Sequence, residues 1–141
     1  MSSSKTKKSK TTKDKPKSYI FNTAQKRWLK ALESDKFEQT RKVLCRHNGE
    51  LRYCCLGVAC ELFVPKEKQT VGRFYKSFWR QTKVLPVQVK ILLKLHSSLG
   101  GFRGTISPDN CNNLAQLNDI GWSFGDIANF IRKYPESVFK G

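Results

Sequence analysis

Tyr53-Cys54-Cys55-Leu56-Gly57-Val58-Ala59-Cys60-Glu61 sets three of the chain's five cysteines within seven positions. Cysteine this dense is a metal site, a redox or nucleophilic site, or packed core. Spacing separates these readings. Cys55, Val58, Ala59 and Leu62 fall at i, i+3, i+4 and i+7, one face of an α-helix, with Glu61 pointing away and Pro65 stopping the helix. On that spacing Cys55 acts as a small hydrophobe inside a core helix, whereas Cys54 and Cys60 fall off that face, and their exposure decides whether the motif does chemistry or packs. Zinc needs four converging donors, usually from paired C-x2-C knuckles. Cys45, His47, Cys54, Cys55 and Cys60 run as C-x-H-x6-C-C-x4-C, which contains no such knuckle, so Cys45, His47, Cys54 and Cys60 are weak candidate ligands and no cofactor is expected. A nucleophilic thiol would want a helix N-terminus and a nearby histidine, and Cys54 or Cys55 with His47 is the pair on offer. His47 beside a turn and His96 at a helix end nevertheless occupy positions typical of solvated residues.

Upstream of this stretch, Asn22 and Thr23 are candidate N-caps for a helix. Its apolar face is Trp28, Leu29 and Leu32, and Lys26, Lys30 and Glu33 face away. Ser34-Asp35 ends it, and Phe37 is expected to fold back over the same core. Arg41 to Arg46 and Leu51 to Cys54 alternate as strands do about Asn48-Gly49, a hairpin turn.

Downstream, Lys66 to Lys94 carries eight basic residues against Glu67 alone, and Phe74, Tyr75, Phe78 and Trp79 are interleaved with its first half. Strand and loop both fit Val71 to Val84. Pro86 suits a first helical turn, with Val87, Ile91 and Leu95 each one turn apart beyond it. Gly100, Gly101 and Gly104 mark a turn-rich connection that lacks the strand, lysine and helix of a phosphate loop. Asn110 or Asn112 caps a helix with Leu114, Leu117 and Ile120, and Gly121 terminates it. Ser123 to Asp126 has the form of a capping box for a second helix, whose inward face is Phe124, Ile127, Ala128 and Ile131.

The expected fold is therefore α+β. It is a helix-rich single domain over residues 19–141, with one small β-hairpin and a C-terminal αα-hairpin, behind a disordered lysine-rich tail at residues 1–18. Its core should draw on Trp28, Leu32, Tyr53, Cys55, Val58, Leu62, Ile91, Leu114, Leu117, Ile127 and Ile131.

The formal charge is +16 over 141 residues. Seven lysines and Asp14 give the tail +6, and 20 basic against 10 acidic residues give the rest +10, so both parts are basic independently. Such a balance favours nucleic acid or an acidic protein as partner and argues against an acidic small-molecule carrier. No apolar run reaches the length of a membrane span and no hydrophobic segment follows the basic start, so neither a membrane partner nor secretion is expected. Five cysteines, an odd number, then read as free thiols in a reducing cytoplasm. Candidate nucleic-acid contacts are Lys5, Lys7, Lys8 and Lys10 in the tail, with Arg73, Tyr75, Lys76, Trp79, Arg80 and Lys83 in the fold. They mix cations for phosphates with rings for bases, so binding should be non-specific and salt-sensitive.

Leu117 to Ala128 resembles the first two helices of a helix-turn-helix. Tyr134-Pro135 leaves no room for a further recognition helix, so this αα-hairpin is expected to be structural. Trp28 to Leu32, Tyr53 to Glu61, Leu85-Pro86 and Leu114 to Ile131 together resemble a group of small uncharacterised tailed-bacteriophage proteins with YCCLGVxC[DE] and LAxLNDxGxSFxxIA motifs. The resemblance implies a phage accessory protein in the host cytoplasm and brings no catalytic residues with it. The expected function is non-enzymatic nucleic-acid binding. The alternatives are a module that captures or inhibits a host factor and a thiol- or metal-dependent enzyme.

Overall fold

The computed structural model of the chain describes residues 19–141. Helix α1 (Thr23–Leu32) opens with a capping box, in which the Asn22 side chain accepts from the Gln25 N–H at 2.7 Å and Gln25 Oε1 accepts from the Asn22 N–H at 2.8 Å. Strands β1 (Cys45–His47) and β2 (Leu51–Tyr53) form the antiparallel hairpin around Asn48-Gly49, in register Cys45 to Tyr53. Gly49 takes a φ of 79°, which the turn requires and glycine supplies without strain. Helix α2 (Cys55–Phe63) is the cysteine helix.

A second antiparallel hairpin follows, β3 (Gln69–Val71) and β4 (Lys76–Phe78), in the region compatible with either strand or loop. Helices α3 (Val87–Leu93), α4 (Leu114–Asp119), α5 (Phe124–Lys133) and the single turn α6 (Pro135–Val138) complete the chain. The architecture is mixed helix and small sheet in one domain. The two hairpins are not independent. Residues 38–40 pair alongside β2 through Thr40 N–H to Tyr53 O and Tyr53 N–H to Glu38 O, both 2.7 Å. On the other side, His47 N–H donates to Phe74 O at 2.8 Å and Arg46 bridges to Tyr75, so the second hairpin extends the first.

The core centres on α2, whose residues Cys55 to Cys60 are all buried. Of the core positions read from the sequence, Trp28, Leu32, Tyr53, Cys55, Val58, Leu114, Leu117, Ile127 and Ile131 are buried. Two are corrected. Leu62 is half-buried, and Ile91 is 66% exposed, with Val87 on the same open face. Helix α3 buries Val89 and Leu93 instead, and Leu95 reaches the core only because Lys94 turns left-handed at φ 60°. Both 87/91 and 89/93 have helical spacing, so periodicity alone does not set the phase. Gln25, itself fully buried, sets it by donating to the Leu93 carbonyl at 2.9 Å.

Candidate nucleic-acid interface

The joined hairpins carry the largest exposed rings beside the basic stretch. Between β3 and β4 the chain turns through Gly72-Arg73-Phe74-Tyr75, closed by Gly72 N–H to Tyr75 O at 2.8 Å. Phe74 is 61% exposed and Tyr75 41%. Each ring has a guanidinium over it, Arg73 at 5.2 Å from the Phe74 centroid and Arg46 at 5.8 Å from that of Tyr75. His47 fixes the turn twice, through its backbone N–H to Phe74 O and its Nδ1 to Gly72 O at 2.8 Å. Arg46 is steadied by its Nε–H donating to Thr40 Oγ1 at 3.3 Å. Opposite it in register stands Arg52, whose charge is matched locally by Glu50 at 2.7 Å. The result is a ridge on which two solvent-facing rings and two arginines alternate on a hydrogen-bonded backbone.

This places the residues singled out from the sequence in different situations. Arg73 and Tyr75 lie on the ridge, and Arg80 is exposed in the turn after β4. Lys76 is a correction: it is 6% exposed, and its Nζ donates to Glu61 Oε1 at 2.6 Å, so it is not open to a phosphate. The cause is strand alternation, which puts Lys76 on the inward face with the fully buried Phe78. Trp79 is half-buried against the core rather than free to stack. Lys83 is exposed but sits elsewhere, beside Lys42 and Asp119. Lys5, Lys7, Lys8 and Lys10 lie outside the described residues. Arg46 and Phe74 were not singled out. Phe74 stood in the basic aromatic run, but the Arg46 contact depends on hairpin pairing between distant segments.

Glu61 organises a polar cluster beneath the ridge. It accepts from the Tyr53 hydroxyl at 2.9 Å and from Lys76, and Lys66 approaches its other oxygen at 3.5 Å. Burial opposes ionisation of Glu61, yet these donors hold its carboxyl below the ordinary carboxylate range. Tyr53 is pushed upward by burial and by the Glu61 charge.

Among the described residues the cysteines gather no metal site, and no three His, Cys, Asp or Glu side chains are placed to hold an ion. The candidate ligands are dispersed in role: His47 braces the turn, Cys54 caps α2 by accepting from the Gly57 N–H at 3.3 Å, and Cys45 and Cys60 are fully buried. Burial pushes the Cys45 thiol up to about 11 and that of Cys54 to about 12, and raises Cys55 and Cys60 well above the usual thiol value. Thiols so shifted hold almost no thiolate at neutral pH and make poor nucleophiles.

A protein-family model described as a domain of unknown function, DUF8296, matches residues 21–135. The chain belongs to the DUF8296 family. No curated protein and no solved structure matches it. The DUF8296 match spans the cysteine helix, the ridge and the αα-hairpin. Among the described residues no helix is long and apolar enough to cross a membrane.

Proposed function

We propose that this DUF8296 protein is a non-enzymatic, phage-encoded accessory protein that binds nucleic acid in the host cytoplasm. The observation that carries the binding is the pairing of exposed Phe74 and Tyr75 with Arg73 and Arg46 on one braced ridge. Guanidinium groups meet phosphates while rings accept unstacked bases, which suits single strands and carries little sequence preference. The +10 charge of residues 19–141 adds long-range attraction, and the tail lysines Lys5, Lys7, Lys8 and Lys10 add to it. The phage origin rests on the YCCLGVxC[DE] and LAxLNDxGxSFxxIA motifs.

The test is fluorescence anisotropy with a labelled single-stranded oligonucleotide over a salt series. Affinity should fall steeply with salt. Replacing both Phe74 and Tyr75 by Ala should weaken binding by about 1–3 kcal/mol per ring lost, and Arg46→Gln with Arg73→Gln should flatten the salt slope. Affinity absent at low salt, or indifferent to both pairs of substitutions, would remove the proposal.

A second reading, capture of a host protein, is favoured by the open apolar face of α3, where Val87, Ile91 and Leu92 are 52%, 66% and 44% exposed. A stoichiometric partner retained from nuclease-treated host lysate, and lost on Val87→Ser with Ile91→Ser, would support it.

A further inference from the structure

Helix α5 has two working faces. Ile127, Ala128 and Ile131 enter the core, whereas the exposed Asp126, Asn129 and Lys133, at i, i+3 and i+7, line a cleft of about 660 Å³ floored by the buried Phe130, with Tyr134 just beyond. Trp122 and residues 105–108 form the facing wall. That volume is the size of a small-molecule site. Trp122 and Phe130 meet edge to face at 6.1 Å, and Phe130 and Tyr134 are tilted at 5.3 Å. Trp122 is fixed at both ends, its Nε1–H donating to Asp109 Oδ2 at 2.7 Å and its carbonyl accepting from Gln39 Nε2 at 2.8 Å. The Asp109 that holds it, and Asn110 after it, both have left-handed backbone, at φ 50° and 62°. Aspartate and asparagine tolerate that region better than other non-glycine residues, so the turn that presents the Asp109 carboxylate to Trp122 is one that the sequence suits.

The polar groups of the cleft are largely unused. Asp126 directs one oxygen to the Ser123 N–H at 3.4 Å, leaving the other open. Among the described residues the Asn129 amide has no hydrogen-bond partner, and Lys133 has no ion-pair partner, its Nζ lying over the Tyr134 ring at 5.5 Å. Carboxylate, amide and ammonium thus succeed one another along one helix face, with aromatic rings beside them. Seven residues of helix separate the first from the last, about 10 Å.

We propose that this cleft binds a guanine nucleotide. Trp122 and Tyr134 take the planar base above the buried Phe130, the Asp126 carboxylate and the Asn129 amide take its edge, and Lys133 takes the phosphate. A carboxylate accepts hydrogen bonds and donates none. Guanine alone of the four common bases turns two adjacent N–H donors, N1 and N2, toward one carboxylate, whereas adenine and cytosine set an acceptor beside their donor. The nucleotide is either free or the terminal residue of a strand. The site stands apart from the ridge, and its binding does not depend on the ridge reading.

Isothermal titration of the full chain with GMP, AMP, CMP, UMP and guanosine tests this. GMP should bind, the other three nucleotides about tenfold or more weakly, and guanosine about tenfold more weakly for want of the Lys133 contact. Asp126→Asn keeps an oxygen for the Ser123 N–H and should still cost about ten- to a hundredfold in GMP affinity. Lys133→Gln should erase the difference between GMP and guanosine. The Phe74→Ala, Tyr75→Ala double variant should titrate with GMP as the unaltered protein does. Competition by a hexanucleotide ending in guanosine assigns strand ends as the source, and GMP binding without that competition assigns free nucleotide. No binding of GMP, equal binding of GMP and AMP, or an Asp126→Asn isotherm identical to wild type in a folded variant would overturn the proposal.

Discussion

At Gly57 an added Cβ would overlap the carbonyl oxygen of Leu44, so the segment entering β1 crosses α2 at backbone contact and only glycine fits. Gly57→Ala should therefore destabilise the protein by about 3 kcal/mol or more, read as a lowered urea midpoint at unchanged slope. Asn118 is the other indispensable side chain. Fully buried, it accepts from the Cys55 N–H at 3.1 Å and from Gln39 Nε2 at 2.8 Å, and donates to Thr40 O at 2.7 Å. Trp28 Nε1–H reaches the Cys55 carbonyl at 2.9 Å. The two sequence motifs thus meet at one residue, and what they encode is a junction of the core. Lys76 shows where residue-level reading of the sequence stops. Its charge suggested a phosphate contact, but its side depends on strand phase, which Val71 to Val84 leaves open without knowledge of the β3–β4 pairing. Lys76→Ala leaves Glu61 half-buried without its principal partner and should cost about 2–3 kcal/mol, whereas Lys76→Met with Glu61→Gln should cost less than either change alone. Chemical denaturation of the four proteins in that cycle measures the difference.

Most boundaries that rest on local chemistry were legible: the Asn22 cap, the Asn48-Gly49 turn, the Pro65 stop and the Ser123 to Asp126 capping box stand where the sequence puts them, whereas the α4 cap expected at Asn110 or Asn112 is Asn113, which accepts from the Gln116 N–H at 2.8 Å. Ser123 accepts from the Asp126 N–H at 3.0 Å, and Ser123→Ala should cost about 1 kcal/mol, seen as a lower melting temperature. Elements whose placement rests on distant partners were not legible. The second hairpin is held by Trp79 N–H to Lys68 O at 2.8 Å and by β1, and the phase of α3 by Gln25. The ridge needs both hairpins together, which is why only Arg73 and Tyr75 of its four ring and arginine positions were singled out. The α5 cleft left a trace in the sequence, since Asp126, Asn129, Phe130 and Lys133 share a helical stripe. Reading α5 for its core face alone passes over that second stripe.

At the scale of the whole molecule, burial of His96 and of the thiols, and the cationic and hydroxyl partners of Glu33 and Glu61, set how stability responds to pH. Both ring nitrogens of His96 are buried without a hydrogen-bond partner among the described residues, and burial, with Arg103 and Lys140 nearby, lowers its pKa below 6.5. A lowered histidine binds its proton more readily in the unfolded chain. Its contribution is therefore complete above pH 6.5 and lost as pH falls through the folded value. Glu33 and Glu61, both lowered from 4.5, act in the same direction further down. Melting temperatures between pH 7 and 5 should fall, and His96→Leu should flatten that slope. The five free, buried thiols act at the other end, all raised above 9.0. Their contribution is complete below pH 9 and lost as pH climbs toward the folded values. Unfolding should become easier from pH 9 upward, and a thiol reagent at pH 8 should label the native protein slowly and the urea-unfolded protein at once. The Asn118 junction also bears on synthesis. Thr40 O, Gln39 and the Cys55 N–H all await a side chain 63 or more positions later in the chain. A ribosome must release residue 118 before that junction can close, so Gln39, Thr40 and the start of the cysteine helix travel with these polar groups unpartnered until then.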